Sequence, residues 1–410
     1  MATEWEQLLR RLEREGRLRR RQFLRALLAS GLTVAGASGL VACAGGQQAT
    51  PTTAPAAGQT PAAASPTAAA GGELKVAGYD NPNKWKGKTL VFAGFGGAMQ
   101  DAQRKAVLEP FARLTGATIV EDTTDIGKLK AMVDAGAVEW TVAQQGTFES
   151  RVLGKQGYLE PIDYSVVDKT NFFEDVAGEF DVAVIYWSLI LAYRTDKFGN
   201  NPPQGWKDFW DVQKFPGPRA MDKVDGPVGN LEFALMADGV PKDQVYQVLR
   251  TAEGVERAFK KLDEIKPHVT VWWEAGAQPA QLLTDGEVDM AQAWNGRIDA
   301  AQRQGAPIAI QWNEGLLRTD SFIIPKGVKE KELAMDFINF ATRPEVQAEL
   351  SKYIPYSPTN AKAFDLMTEE LKARLPSAPA QKEKQLLADA SFWLENLDRL
   401  TEQFNDWLTK

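Results

Sequence analysis

The sequence predicts an α/β protein of two units, each a sheet with helices on its faces. Three observations carry this. Strand-like apolar runs alternate with helix-like segments from residue 88 onward in β-α-β-α order, the order that builds parallel sheets. A second stretch of the same alternation occupies about 194–316. The chain has 410 residues, 44% of them hydrophobic, which exceeds what a single core usually serves.

Taken in order, the chain opens on a short amphipathic pattern at 4–15, with Trp5, Leu8, Leu9 and Leu12 near one face. Arg19-Arg20-Arg21-Gln22-Phe23-Leu24-Arg25 follows. It resembles the twin-arginine export motif, with Arg19 where Ser or Thr usually stands. Residues 26–42 are uncharged, small and mildly apolar. A run of that length is marginal for a spanning helix; behind a basic region it reads as a signal peptide. The segment ends Leu40-Val41-Ala42-Cys43, which resembles the lipobox of bacterial lipoproteins, where the Cys thiol is acylated. Residues 1–43 therefore read as a lipoprotein signal peptide, with Cys43 as the lipidation site. Residues 44–72 carry no charge and are mostly Ala, Pro, Thr, Gly and Gln. No core can form from them, so they read as a disordered or extended tether. The expected location is outside the cytoplasmic membrane, lipid-anchored to its outer face or in the periplasm.

The globular body begins near residue 73. Residues 88–93 read as a strand, Gly94-Phe95-Gly96-Gly97 as a turn and 99–114 as a helix ending before Gly116. Residues 117–121 form a second expected strand, 127–135 a helix and 141–144 a short strand. The apolar run 182–193, rich in β-branched and aromatic residues, reads as a buried strand pair. Trp206 and Trp210, at a helix start, read as core. Residues 269–273 alternate as a strand, 278–284 look helical, 288–294 return to strand, and Asn295-Gly296-Arg297 open a helix. Residues 320–325 read as strand, 329–342 and 344–351 as helices, and the chain ends in helices through Trp407. In open α/β sheets ligands sit beyond the carboxyl ends of the strands, so the strand-to-turn junctions are where a site is expected.

Composition excludes several classes. The net charge is −7, and the first 43 residues hold eight Arg against four Glu, so the remainder is more acidic still. That disfavours nucleic acid, whose phosphates call for basic surface. With one Cys and one His, His268, the chain can form neither an internal disulfide nor a Cys/His zinc site. His268 lies in a polar entry to a strand and reads as structural. There is no Gly-x-Ser-x-Gly elbow and no carboxylate pair distinct from helix-face charge, so an enzyme is not expected, and no cofactor is implied.

Seven landmarks then occur in a familiar order. They are the strand 88–93 with its Gly turn; 182–196 (VAVIYWSLILAYRTD); Gly205-Trp206-Lys207-Asp208-Phe209-Trp210; 281–295 (QLLTDGEVDMAQAWN); 320–327 (DSFIIPKG); 334–344 (AMDFINFATRP); and Tyr356-Ser357-Pro358-Thr359-Asn360. Together they resemble the bacterial spermidine/putrescine-binding proteins of ABC importers. The resemblance implies a two-lobed type II periplasmic-binding fold with a hinge and a ligand cleft between the lobes. Lobe one would be 73–188 completed by 320–362, and lobe two 189–319 completed by 363–410. The expected partners are a small amine or amino-acid-like solute and an ABC permease with its ATPase, the protein itself being a monomer. A sensory lipoprotein without a transporter would use the same cleft.

By position, the resemblance places Asp320, Trp294, Tyr356 and Trp187 at the cleft and lets Phe95 supply an aromatic from the first lobe. Trp273 and Glu274 close a strand and could point into the same space. Aromatic faces and carboxylates suit a polyamine, whose ammonium groups must be repaid for lost hydration. The sequence departs from that pattern at Arg318, which stands where polyamine receptors carry an aromatic. Polyamine receptors also use acidic residues near the segment that here reads Met221-Asp222-Lys223-Val224-Asp225-Gly226-Pro227. An Arg would repel a polycation and suits a carboxylate. Two solutes therefore stay open: a polyamine such as spermidine or putrescine, or a zwitterionic ω-amino acid with Arg318 on its carboxylate and Asp320 on its ammonium.

Overall fold

The computed structural model describes residues 74–410. Residues 1–73, which include the expected signal peptide, Cys43 and the expected tether, lie outside the described residues. Strand β1 (Thr89–Gly94) leads into α1 (Gly97–Gln103), which continues through a π-helical turn (Arg104–Leu108) into α2 (Glu109–Thr115). Gly116, at φ +78°, ends α2 in the left-handed conformation that glycine adopts without steric cost. Then come β2 (Thr118–Thr123), α3 (Ile126–Asp134), β3 (Val142–Gly146), α4 (Thr147–Lys155) and the long β4 (Asp181–Arg194). The second half holds β5 (Arg219–Asp222), α5 (Asn230–Ala237), α6 (Ala252–Ile265), β6 (Val269–Trp273), α7 (Gln278–Asp285), β7 (Met290–Trp294) and α8 (Asn295–Arg303). The chain returns along β8 (Ile308–Ile323), adds α9 (Lys331–Ala341) and α10 (Pro344–Tyr353), and closes with β9 (Leu386–Leu387) and α11 (Ala390–Thr409).

The strand order is β2-β1-β3-β8-β4-β7-β5-β6, with β9 on β8. On one side β1 runs parallel to β2 and β3; on the other β5 runs parallel to β6 and β7. Each half thus has the expected parallel core with helices. The junction differs from expectation, because β4 and β8 are antiparallel to each other and to their outer neighbours β7 and β3. Both strands are long enough to serve both halves. The first part of β4 lies opposite 320–323, which also pair β3, while its last part lies opposite β7. Register shifts at Ala183/Ile185 and Leu189/Leu191 bend this shared pair.

The run 182–193 is therefore one strand of 14 residues from Asp181 to Arg194, not a strand pair. It contains no turn residue at which to fold back, and twelve of its positions are buried, which hides the period of two. The first part of β8 escaped the sequence reading because Gln311, Asn313 and Gly315 interrupt its apolar pattern. The first half's core is a file of packed rings, Phe92, Phe111, Phe322, Phe337 and Phe340, meeting edge-on except for the stacked Phe322–Phe337 pair. In the second half Trp206 stacks on Phe233 at 3.8 Å, and Trp206 and Trp210 are buried as expected. Helix α11 belongs to this core through Phe404 and Trp407, which pack on Trp272, and it also touches α4 in the first half. His268 is exposed in a turn before β6.

Candidate functional site

A cavity of about 460 Å³ opens where the two halves face each other beside β4 and β8. Six of the eight positions singled out from sequence line it: Phe95, Trp187, Trp294, Arg318, Asp320 and Tyr356. Phe95 and Trp294 come from a strand end or the turn after it, as the α/β rule requires, whereas Trp187, Arg318 and Asp320 lie within β4 and β8 and Tyr356 follows α10. Phe95, in the β1–α1 turn, is 47% exposed and forms the rim.

Asp320 sits where β3, β8 and β4 meet, opposite Gly146 on one side and Ile185 on the other. The Trp187 indole N–H donates to its Oδ1 at 2.8 Å and the Gln144 side-chain amide to its Oδ2 at 3.1 Å. Gln144 is itself held by Gln103 at 2.7 Å. Burial pushes the Asp320 carboxyl up to about 7, against the opposing pull of the Trp187 hydrogen bond and the Arg318 charge.

Arg318 neither points to solvent nor stands ready for a ligand carboxylate. It is 4% exposed, its guanidinium lies 4.7 Å from the Trp187 ring centroid and 5.1 Å from that of Phe148, and its Nη1 donates to Asp225 Oδ1 at 2.5 Å. Burial disfavours its charge, but Asp225 and the nearby carboxylates outweigh burial and hold it protonated. Asp225 also accepts from the Trp294 indole at 3.0 Å. Burial pushes Asp225 up, yet Arg318 and the Asp222 and Trp294 hydrogen bonds pull it below its ordinary value. Its buried neighbour Asp222 is raised by burial and by the Asp225 charge, so Asp222 carries the proton of the pair. Arg318 and Asp225 thus cancel each other inside the cavity wall.

Two residues missed from sequence complete the charge pattern. Arg297, in the first turn of α8, lines the cavity and has no carboxylate partner among the described residues; its Nε is enclosed without a hydrogen bond. Its helix is fixed by Asn295, whose side chain accepts from Ser188 N at 2.9 Å and donates to Pro355 O at 3.0 Å. Glu149, in the first turn of α4, also lines the cavity. The remaining wall is Tyr356, 7% exposed, which lies so close to Gly296 that a Cβ there would stand 2.7 Å from its ring.

Trp273 and Glu274 do not line the cavity. Trp273 is buried behind Trp294, edge-on at 5.6 Å, with its indole N–H donating to Gln292 O at 2.9 Å. Trp272 turns the other way onto α11. Glu274 is exposed and pairs with Lys223. A larger depression of about 980 Å³ lies along 361–383; its charged lining belongs to surface groups such as the Lys372–Glu369 pair, and the buried polar group on it is the neutral hydroxyl of Ser377.

The arrangement offers one unpaired cation, a buried carboxyl poised near neutrality, an internal ion pair of no net charge, and aromatic walls. It can hold a short chain with an anionic and a cationic group. Residues 106–380 match the bacterial extracellular solute-binding protein family. The chain is 40% identical to the gamma-aminobutyric acid-binding protein of Pseudomonas aeruginosa, over 79% of this chain and 92% of that protein. It is 26% identical to the spermidine/putrescine-binding periplasmic protein of Salmonella typhimurium, over 65% of this chain and 77% of that protein. In structure it resembles an ABC transporter substrate-binding protein from Bradyrhizobium japonicum, with a TM-score of 0.74 and 40% identity, covering 78% of this chain and 99% of that one.

Proposed function

Because the chain belongs to the bacterial extracellular solute-binding proteins, which bind solutes and are not enzymes, we propose that it captures a small zwitterion, an ω-amino acid, for an ABC importer. Arg297 takes the carboxylate and Asp320 the ammonium. The observation that carries this reading is the charge bookkeeping of the cavity. A polyamine would bring only cations to a space where Arg297 stands unpaired and where Asp225 is already spent on Arg318. The relatives point the same way, since the gamma-aminobutyric acid-binding protein is a nearer relative than the polyamine-binding one. In this reading lobe one (73–188 with 320–362) and lobe two (189–319 with 363–410) close over the solute by bending at β4 and β8, and the closed form docks on the permease.

The test is titration calorimetry of the mature body with 4-aminobutanoate and with putrescine across pH. An ammonium binds the ionised form of Asp320, whose carboxyl is pushed up to about 7. Binding therefore expels the proton that the empty site holds below that pH, and affinity should fall about tenfold between pH 8 and pH 6. The empty protein behaves oppositely: a carboxyl raised above its unfolded value stabilises the fold while protonated, and that contribution is lost as pH rises from about 4 to 7. Tighter binding of putrescine than of 4-aminobutanoate, or affinity flat across pH, would overturn the assignment.

Export and anchoring complete the proposal. Among the described residues no helix is long and apolar enough to cross a membrane; the membrane contact is assigned to acyl chains on Cys43 because it closes the lipobox-like Leu40-Val41-Ala42-Cys43. Cys43→Ser should move the protein from the membrane pellet to the soluble fraction. Retention in the pellet would remove the lipid from the account.

A further inference from the structure

The cavity holds one more charge than a short ω-amino acid would use. With Arg297 and Asp320 facing the two ends of such a ligand, and Arg318 cancelled by Asp225, Glu149 is left over. Its Oε2 is enclosed without a hydrogen-bond partner, and no Lys or Arg pairs with it among the described residues. Its carboxylate is folded over the end of β3 in a space that only glycine leaves open: a Cβ on Gly146 would stand 2.2 Å from Oε2. A carboxylate oxygen enclosed without a donor is costly, and a bound cation is the plainest way to offset it.

Size argues in the same direction. The cavity, at about 460 Å³, is of the order that encloses a drug-sized molecule, well beyond a four-carbon amino acid. It adjoins a second cavity of about 750 Å³ that shares Glu149, Val224 and Asp225 with it and runs on toward Asp398, Thr401 and Glu402 of α11. Glu149 therefore stands at the passage between the two spaces, and the ligand-facing charge, one Arg against two carboxylates, is negative.

We infer that the preferred solute is a basic amino acid. It would present a carboxylate to Arg297, an ammonium to Asp320 and a second cationic nitrogen to Glu149. The inference rests on the zwitterion reading and adds to it a specificity-determining carboxylate. The test is calorimetry with matched pairs that differ by one ammonium group: 2,4-diaminobutanoate against 4-aminobutanoate, ornithine against 5-aminopentanoate, and lysine against 6-aminohexanoate. Each is measured on the wild-type body and on Glu149→Gln, with thermal melting as the check on folding. At least one diamino acid should bind about tenfold or more tightly than its partner. Glu149→Gln should erase that preference, costing the diamino acid about tenfold more affinity than its ω-amino acid partner. No pair with such a preference, or equal losses for both members in Glu149→Gln, would overturn the inference and leave the zwitterion reading standing. Failure of all six compounds to bind the wild-type body would overturn both.

Discussion

Arg297→Gln should weaken ω-amino acid binding by about a hundredfold or more while leaving the melting temperature of the empty protein unchanged. The two expectations come from the same fact. Arg297 makes no ion pair among the described residues, and its Nε has no partner, so the empty protein loses little when the charge goes. The ligand loses the planar fork that meets a carboxylate with two parallel hydrogen bonds. Arg297→Lys restores the charge without the fork and should recover only part of the affinity. Calorimetry on the three proteins, with differential scanning fluorimetry of the empty forms, separates binding from folding. A loss below about threefold in Arg297→Gln, against the larger effects typical of paired charges, would send the ligand carboxylate elsewhere.

Asp225→Ala should act on the fold itself. Removing this side chain leaves the Arg318 guanidinium, 4% exposed, as an uncompensated buried charge, a change that costs about 3–5 kcal/mol. The Trp294 indole loses its acceptor at the same time. The double variant Asp225→Ala/Arg318→Met removes both charges, keeps apolar bulk against Trp187 and Phe148, and should regain most of the loss, because a buried pair replaced as a unit is often neutral. Urea unfolding of the wild type and both variants reads the difference. Equal destabilisation in the single and double variants would mean that packing, and not the stranded charge, sets the cost.

How much of this was legible in the sequence depended on what each residue's position betrays. Trp187, Trp294, Asp320 and Tyr356 sit in ordered landmark segments, and they reached the cavity. Arg318 was legible as a departure, but its partner was not. Asp225 lies in a seven-residue acidic and glycine-containing stretch with no periodic pattern to aim its side chain, and only the fold brings it 93 positions along the chain to Arg318. Arg297 had a usable signal. A cation in the first turn of a helix opposes the helix dipole, so its presence directly after a strand asked for a reason. Glu149 gave no such signal, since an acid in a first turn is favourable there and reads as ordinary capping. Trp273 and Glu274 show the limit of strand parity: alternation says that neighbours face apart, but not which face looks onto the cavity and which onto a neighbouring strand. Strand β4 was misjudged for a related reason, because burial on both faces erases the alternation that marks a strand's extent.

The path of β4 and β8 through both halves bears on how the protein is made. The first half's sheet gains its fourth neighbour only when residues 320–323 have been synthesised and paired with β3. By then β5, β6 and β7 of the second half have already been threaded between two strands of the first. Neither half is a continuous stretch of chain that could complete itself and wait. Contacts of this sequence separation are slow to close, and the two halves share the strands that would have to part. Refolding from urea should therefore be slow and should regain both halves in one phase, with tryptophan fluorescence and ligand binding returning together.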